Sequence, residues 1–394
     1  MHYADVAIPL GCAWSSPFAR WQGSLSEVSS TDLAGAVTKR ALAERHVDPV
    51  QFDSLVLGWS VPQHQIFYGA PTLAARIGAP GITGPMISQA CATSVACLHA
   101  AAAAVTAGDE MQLVVTTDRT SNGPTLLWPA PSRSAGSPIV ENWVLDNFAC
   151  DPWANAGMLT AAEAVAREMR ASREQLDALT ALRWEQYETA LANDRAFQRR
   201  YFVPVEITQG KRTLSLDADE GIRPKTLDGI RQLRPAEPGA LHSFAAQTHP
   251  ADGCAGAIVT TQARARKIST EGIARVLATG FTRVEKSRMP RAPVPAALAA
   301  LESAGRRIAD VLAITTHNPF AINDLWFAHE TGVKVQDMNV HGCSLIFGHP
   351  QGPTGLRSVV ELIETLRMRG GGLGLFTGCA AGDSAAAIVI EVTD

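Results

Sequence analysis

Cys91, His349 and Cys379 are the residues of this chain whose types and surroundings suit the making and breaking of covalent bonds. Cys91 sits in Gln89-Ala90-Cys91-Ala92-Thr93-Ser94, where an apolar stretch gives way to a long alanine-rich helix. The free N–H groups and positive dipole end of a helix stabilise a thiolate, so a cysteine placed there can act as a nucleophile. His349 lies in Phe347-Gly348-His349-Pro350-Gln351-Gly352, a glycine-rich turn directly before a second helix. An imidazole with space around it can take a proton from a nearby thiol, as Cys–His pairs require. Cys379 lies in Thr377-Gly378-Cys379-Ala380-Ala381-Gly382, where small residues let a substrate approach the backbone closely. A thiol nucleophile, an imidazole base and a second thiol that shuttles a proton are the parts needed to cleave a carbon–carbon bond on a thioester. Each residue also has a plainer reading. A cysteine is more often a buried structural residue, as expected for Cys97, and a lone turn histidine is more often just hydrogen-bonded.

The elements that must position these residues alternate between helix-like and strand-like patterns, as in α/β proteins. A helix near 32–46 leads through Phe52-Asp53 into Ser54-Leu55-Val56-Leu57-Gly58. Later, 296–304 leads through Ala309-Asp310 into Val311-Leu312-Ala313-Ile314-Thr315. Cys91 opens a helix over 92–107, followed by the strand Gln112-Leu113-Val114-Val115-Thr116. In the same order, the turn at 350–355 opens a helix over 356–369, followed by Leu373-Gly374-Leu375-Phe376. The echo predicts two copies of one α/β module.

Between the copies lies a stretch of different character. It holds a Pro/Ser/Trp-rich loop over 122–151, a charged amphipathic helix over 160–183, and a polar loop with Lys211-Arg212 and Asp219-Glu220-Gly221-Ile222-Arg223. An insertion of this kind serves as a lid, an oligomer contact or a ligand clamp. Its Trp128, Trp143, Phe148 and Trp153 suit either a large pocket or packing anchors.

The chain's 394 residues hold two or three domains or one large duplicated body. A net charge of −4 presents no basic face for nucleic acid or a membrane surface. No apolar run is expected to reach transmembrane length, and neither end carries a recognisable targeting signal, which makes the cytoplasm the default location. The seven cysteines contain no CxxC pair, so reduced thiols are expected rather than a zinc site or a disulfide framework.

Over nearly its full length the chain resembles the thiolases. The resemblance rests on the nucleophile segment around Cys91, on Met158-Leu159-Thr160-Ala161-Ala162-Glu163 with Ser172-Arg173-Glu174-Gln175-Leu176-Asp177, and on Asp219-Glu220-Gly221-Ile222-Arg223. It continues through Leu233-Arg234-Pro235, Asp252-Gly253, Pro293-Val294-Pro295-Ala296, Asn339-Val340-His341-Gly342, Gly348-His349-Pro350 and Cys379. The implied fold is a duplicated five-layered α/β/α/β/α body with an inserted lid. Its first half would span 1–118 plus about 246–268, the lid 119–245 and the second half 269–394. The implied activity is CoA-dependent cleavage of a 3-oxoacyl-CoA, as in fatty acid β-oxidation, or the reverse condensation.

The resemblance also implies roles. Cys91 would be the acylated nucleophile, His349 its base, and Cys379 the acid and base at the α-carbon. One oxyanion hole would use His349 with His317, and another the backbone N–H groups of Cys91 and Ala381; each such donor is worth roughly 10²–10³ in rate. Arg223 would contact the nucleotide end of CoA and Thr248 its pantetheine, while Met158 and Phe320 would line the acyl pocket. CoA would be a co-substrate, with no metal or redox cofactor, and the protein a homodimer or homotetramer. Departures from the family pattern point to an atypical acyl group: His317-Asn318-Pro319-Phe320 replaces Asn-Glu-Ala-Phe, Cys343 follows Gly342, and Asp383 follows the second thiol. Two alternatives stand beside this reading. A ketoacyl-synthase-like condensing enzyme would pair its cysteine with two histidines, or one histidine and Asn or Glu, and lack the second cysteine. A thiolase-like subunit that binds acyl-CoA without turnover would retain the fold alone.

Overall fold

A computed structural model describes residues 1–222 and 226–394. One 11-stranded mixed sheet runs through both halves of the molecule. In the first half, β1 (Ala7–Pro9), β2 (Ser54–Gly58), β3 (Met86–Ile87), β4 (Met111–Arg119) and β5 (Ala251–Thr260) lie in the order β3-β2-β4-β5-β1. Here β2 runs parallel to β4, and β4 antiparallel to β5. Helices α1 (Ser30–Glu44) and α2 (Thr93–Ala107) belong to this half. The inserted segment contributes α3 (Met158–Glu168) and α4 (Arg173–Arg195).

The second half repeats the scheme. β6 (Ile273–Arg283), β7 (Ala313–His317), β8 (Gly372–Ala380) and β9 (Ser384–Thr393) lie in the order β7-β8-β9-β6, with β7 parallel to β8 and β8 antiparallel to β9. Its helices are α5 (Pro293–Ser303), α6 (Ala321–Thr331) and α7 (Gly352–Met368). Pairing of β1 with β6 joins the halves.

Strand alternation builds the layers. β2 turns Leu55 and Leu57, and β4 turns Leu113 and Val115, towards Leu33 and Val37 of α1. The intervening Val56 and Val114 face a central layer with Val95 and Leu98 of α2, and Leu356, Val359 and Ile363 of α7. On the far side Leu375, Ala387 and Val389 pack against Ala296, Ala297 and Leu301 of α5. The result is the expected α/β/α/β/α stack, with α2 and α7 buried in its middle.

A helix clasped between the two halves of the sheet must be apolar nearly all round. That requirement corrects one expectation. Ala90–Ala107 is apolar and long enough, by composition, to pass for a membrane span, yet most of it is buried inside the protein. Small residues bring the N-termini of α2 and α7 together: Ser94 Oγ donates to Gly352 O, and a Cβ on Gly352 would lie 2.7 Å from Asp118 Oδ2. Cys91 and His349 each precede one of these helices, so this contact is what brings them into range.

The single helix expected over 160–183 is two. α3 ends at Glu168, the chain turns through Arg170 at φ 55°, and α4 starts anew on a capping box in which Ser172 and Gln175 exchange hydrogen bonds.

Helix α7 also carries charge into the core. The Arg357 guanidinium donates to both Asp219 oxygens at 2.7 Å and to Glu361 at 3.1 Å, and stacks 3.6 Å from the Phe347 ring. Both Arg357 and Asp219 side chains are fully buried. Removing one member strands the other's charge, so Arg357→Met is expected to destabilise the fold by about 3–5 kcal/mol. Urea unfolding of the two proteins would measure it, and a loss below about 1 kcal/mol would contradict it.

Candidate active site

Cys91 and His349 meet at the junction of the halves. His349 Nε2 lies 3.2 Å from Cys91 Sγ, and Nδ1 lies 2.6 Å from Thr354 Oγ1 on the first turn of α7. The Gly348 backbone at φ 90° turns the chain into this position, a conformation natural to glycine. The Cys91 thiol donates to Gln351 Oε1 at 3.3 Å. The backbone N–H groups of Ala381 and of Cys91 itself both point at the sulfur. Ala381, just past the end of β8, thus reaches the nucleophile through its backbone.

Burial dominates the electrostatics. It pushes the Cys91 thiol up to about 12, although the two N–H groups pull it down; Asp118 nearby adds to the rise. The His349 imidazole is held well below its usual range, first by burial and then by His317. The sequence suggested a thiolate at a helix end. Burial instead favours a neutral thiol beside a neutral imidazole, opposing the charge that a helix end would stabilise.

His317 ends β7 and stacks on His349 with ring centroids 4.1 Å apart. Its Nδ1 is 2.9 Å from Ser344 Oγ, while its Nε2 is buried with no partner among the described residues. A buried nitrogen without a partner is costly unless a substrate oxygen completes it. The donor atoms of Cys91, His317 and His349 all lie within 4.8 Å of one another. A zinc ion between Sγ and Nε2 would need them roughly 3.6 Å apart; the observed 3.2 Å is a hydrogen-bonding separation.

Cys379, on β8, is buried beside this trio and accepts a hydrogen bond from Asn323 Nδ2 at 3.2 Å. Its thiol is pushed well above the usual range by burial and further by Cys91. Asp118 sits behind the site. Its carboxylate accepts from Ser60 N, Ser60 Oγ and Val61 N at 2.8 Å each and from Gly352 N at 2.7 Å, and burial raises it to about 7. It ties the loop carrying His349 and Gln351 to the first half.

Beside Ala90, Gln351 and Ala381 opens a cavity of about 380 Å³, roofed by the inserted segment. Trp143, Val144, Phe148, Met158 and Met289 give it an apolar wall. Its polar residues are largely committed elsewhere: Asp383 accepts from Ser287 N and Arg288 N, Asp151 from Trp153 N and Ala154 N, and Asn147 donates to Glu141 and Trp143 O. Of the aromatic residues noted in the insertion, Trp143 and Phe148 line this cavity. Trp128 and Trp153 are exposed, and Trp153 packs under Lys286, 3.8 Å from its ring centre.

Phe320 is buried against His242, with ring centroids 5.6 Å apart, and does not line the cavity. Thr248 is half-buried, donates to Ser344 O at 2.5 Å and binds Pro319 O through its N–H at 2.7 Å. Arg223 lies outside the described residues. The structure therefore gathers Cys91, His349, His317, Cys379 and Ala381, with Met158 in the adjoining cavity wall. Sequence reasoning missed Gln351, Thr354, Ser344, Asn323 and Asp118. For Gln351 and Thr354 the signal was proximity to His349; the others are joined to the site only by the fold.

Comparison with known proteins follows the same lines. Residues 12–263 match the family model described as thiolase, N-terminal domain, and residues 270–392 that of thiolase, C-terminal domain. The chain is 28% identical to an acetyl-CoA acetyltransferase of Allochromatium vinosum, with 96% of this chain and 97% of that one covered. It is 26% identical to the human mitochondrial 3-ketoacyl-CoA thiolase, with 96% of each covered. The crystal structure of that human thiolase in complex with CoA superposes with a TM-score of 0.89 at 23% identity, over 98% of each chain. The Bacillus anthracis acetyl-CoA acetyltransferase gives a TM-score of 0.90 at 22% identity, over the whole of both chains.

Proposed function

Because the chain belongs to the thiolase family, we propose that it catalyses CoA-dependent cleavage of a 3-oxoacyl-CoA, or the reverse condensation, through an acyl-Cys91 intermediate. The observation that carries this is the convergence on one buried point of a thiol–imidazole pair at 3.2 Å, two N–H groups aimed at the sulfur, and a second thiol. The second thiol also favours this reading over a ketoacyl-synthase-like one.

The steps follow from the geometry. His349 takes the Cys91 proton as the sulfur attacks the 3-keto carbon, so no free thiolate need persist in the buried site. The oxygen that becomes negative faces the N–H groups of Cys91 and Ala381. Collapse of the adduct breaks the bond between the 2- and 3-carbons and leaves the acyl group on Cys91. The departing CoA ester leaves as an enolate; its oxygen faces His317 and His349, and its carbon takes the proton of Cys379. A fresh CoA thiol then returns a proton to Cys379 and attacks the thioester on Cys91, whose sulfur recovers its proton from His349.

The proposal includes an acyl group larger than acetyl, because a preformed apolar cavity of about 380 Å³ is lined by Ala90, Gln351 and Ala381, the neighbours of Cys91. It includes a reducing compartment, since Cys91 and Cys379 must both stay as thiols. It also includes a homo-oligomer with a second copy at the sheet edge, where β3 ends the sheet and Phe67, Tyr68 and Met86 are exposed. The test is thiolysis of 3-oxoacyl-CoAs of increasing length, with the oligomeric state measured on the same samples. Each methylene entering an apolar cavity adds about 0.8 kcal/mol, so kcat/KM should rise on the order of 10²-fold from the four-carbon to the eight-carbon substrate. Preference for the shortest substrate would remove the large-acyl part, and a monomer the oligomer part. CoA binding without turnover of any substrate would favour a non-catalytic binder.

A further inference from the structure

Gln351 is held between the catalytic pair and the acyl cavity. Its Oε1 accepts the Cys91 S–H at 3.3 Å, and the same side chain hydrogen-bonds to His349. The residue also lines the cavity. Its backbone has φ 68° and ψ −102°, a conformation that disfavours any side chain. A glycine would make this turn without strain. What glutamine adds is a carboxamide at the reacting sulfur.

We propose that Gln351 is a further catalytic residue, whose carbonyl oxygen holds the proton on both sides of its transfer from Cys91 to His349. Before transfer Oε1 accepts from S–H. The hydrogen then swings to Nε2 of His349, the S–H bond breaks as N–H forms, and Oε1 accepts from the new imidazolium. The oxygen thereby offsets part of the cost of creating a cation in a buried site, working beside the N–H groups that face the sulfur. Nothing is consumed, and the proton returns by the same path when the acyl group leaves. The amide NH₂ makes no hydrogen bond within the described residues, so it is free to meet a carbonyl oxygen of the acyl substrate.

The inference rests on the reading of Cys91 as the acylated nucleophile. It is tested with Gln351→Met, which keeps the bulk and removes the carboxamide, and Gln351→Gly, which removes it and relieves the backbone. Single-turnover acylation of Cys91 and the pH profile of its alkylation by iodoacetamide are measured with melting temperature. Both variants should acylate roughly 10- to 100-fold more slowly, the worth of one hydrogen bond to a charged group. Their alkylation profiles should move to higher pH, because the imidazolium has lost its acceptor. Gln351→Gly should melt at or above the wild type, which separates a catalytic loss from a structural one. Acylation within about twofold of wild type in both variants would overturn the proposal, as would a rate loss that tracks a fall in melting temperature. A wild type that takes up no acyl group from any donor would instead overturn the reading on which it rests.

Discussion

Cys379→Ala is expected to lower thiolysis of 3-oxoacyl-CoA by about 10²–10⁴-fold, the usual worth of a positioned acid or base, while Cys91 still takes up an acyl group from a simple acyl-CoA within about tenfold of the wild-type rate. The difference arises because only the carbon–carbon step needs a proton at carbon. Burial and the neighbouring Cys91 both push the Cys379 thiol up, so the two sulfurs resist being thiolates together. While Cys91 carries negative charge, Cys379 therefore keeps its proton and is ready as the acid. Once Cys91 is acylated it is neutral and that repulsion is gone, so Cys379 can act as the base, with Asn323 Nδ2 at 3.2 Å supporting its thiolate. Exchange of the α-hydrogens of acetyl-CoA in D₂O isolates this step. The variant should lose exchange and keep acylation; equal loss of both, or unchanged thiolysis, would contradict the assignment.

The layered fold was legible in the sequence because its signal is local. Ser54-Leu55-Val56-Leu57-Gly58 reads as a strand and is one, and the repeated order of helix and strand survives as the matched halves around β2–β4 and β7–β8. Helix ends were less legible: α7 starts at Gly352, because Pro353 is tolerated in a first turn where its missing N–H costs nothing. The buried charges of α7 could not be foreseen. Arg357 and Glu361 carry no local mark of burial, and Asp219 and Tyr201 arrive from the inserted segment to satisfy them.

The site divides in the same way. Cys91, His349 and Cys379 announce themselves through glycine- and alanine-rich settings. The partners that tune them do not, because Asn323, Ser344 and Asp118 approach from other elements. The pull of burial on the Cys91 thiol is illegible for a related reason. A helix end can be read from sequence, whereas burial of the thiol depends on both halves of the sheet and a roof closing over it.

The central claim is that Cys91 carries the acyl group, and intact-mass measurement after mixing with acyl-CoAs tests it most directly. Cys91→Ala removes the sulfur that lies 3.2 Å from His349 and faces the paired N–H groups, so turnover should fall by at least about 10³-fold, as when a covalent nucleophile is deleted. The wild type should gain the mass of one acyl group per chain, more readily from an eight-carbon donor than from acetyl-CoA, and Cys91→Ala should gain none. An adduct that persists in Cys91→Ala, or its absence from the wild type with every donor, would contradict the account.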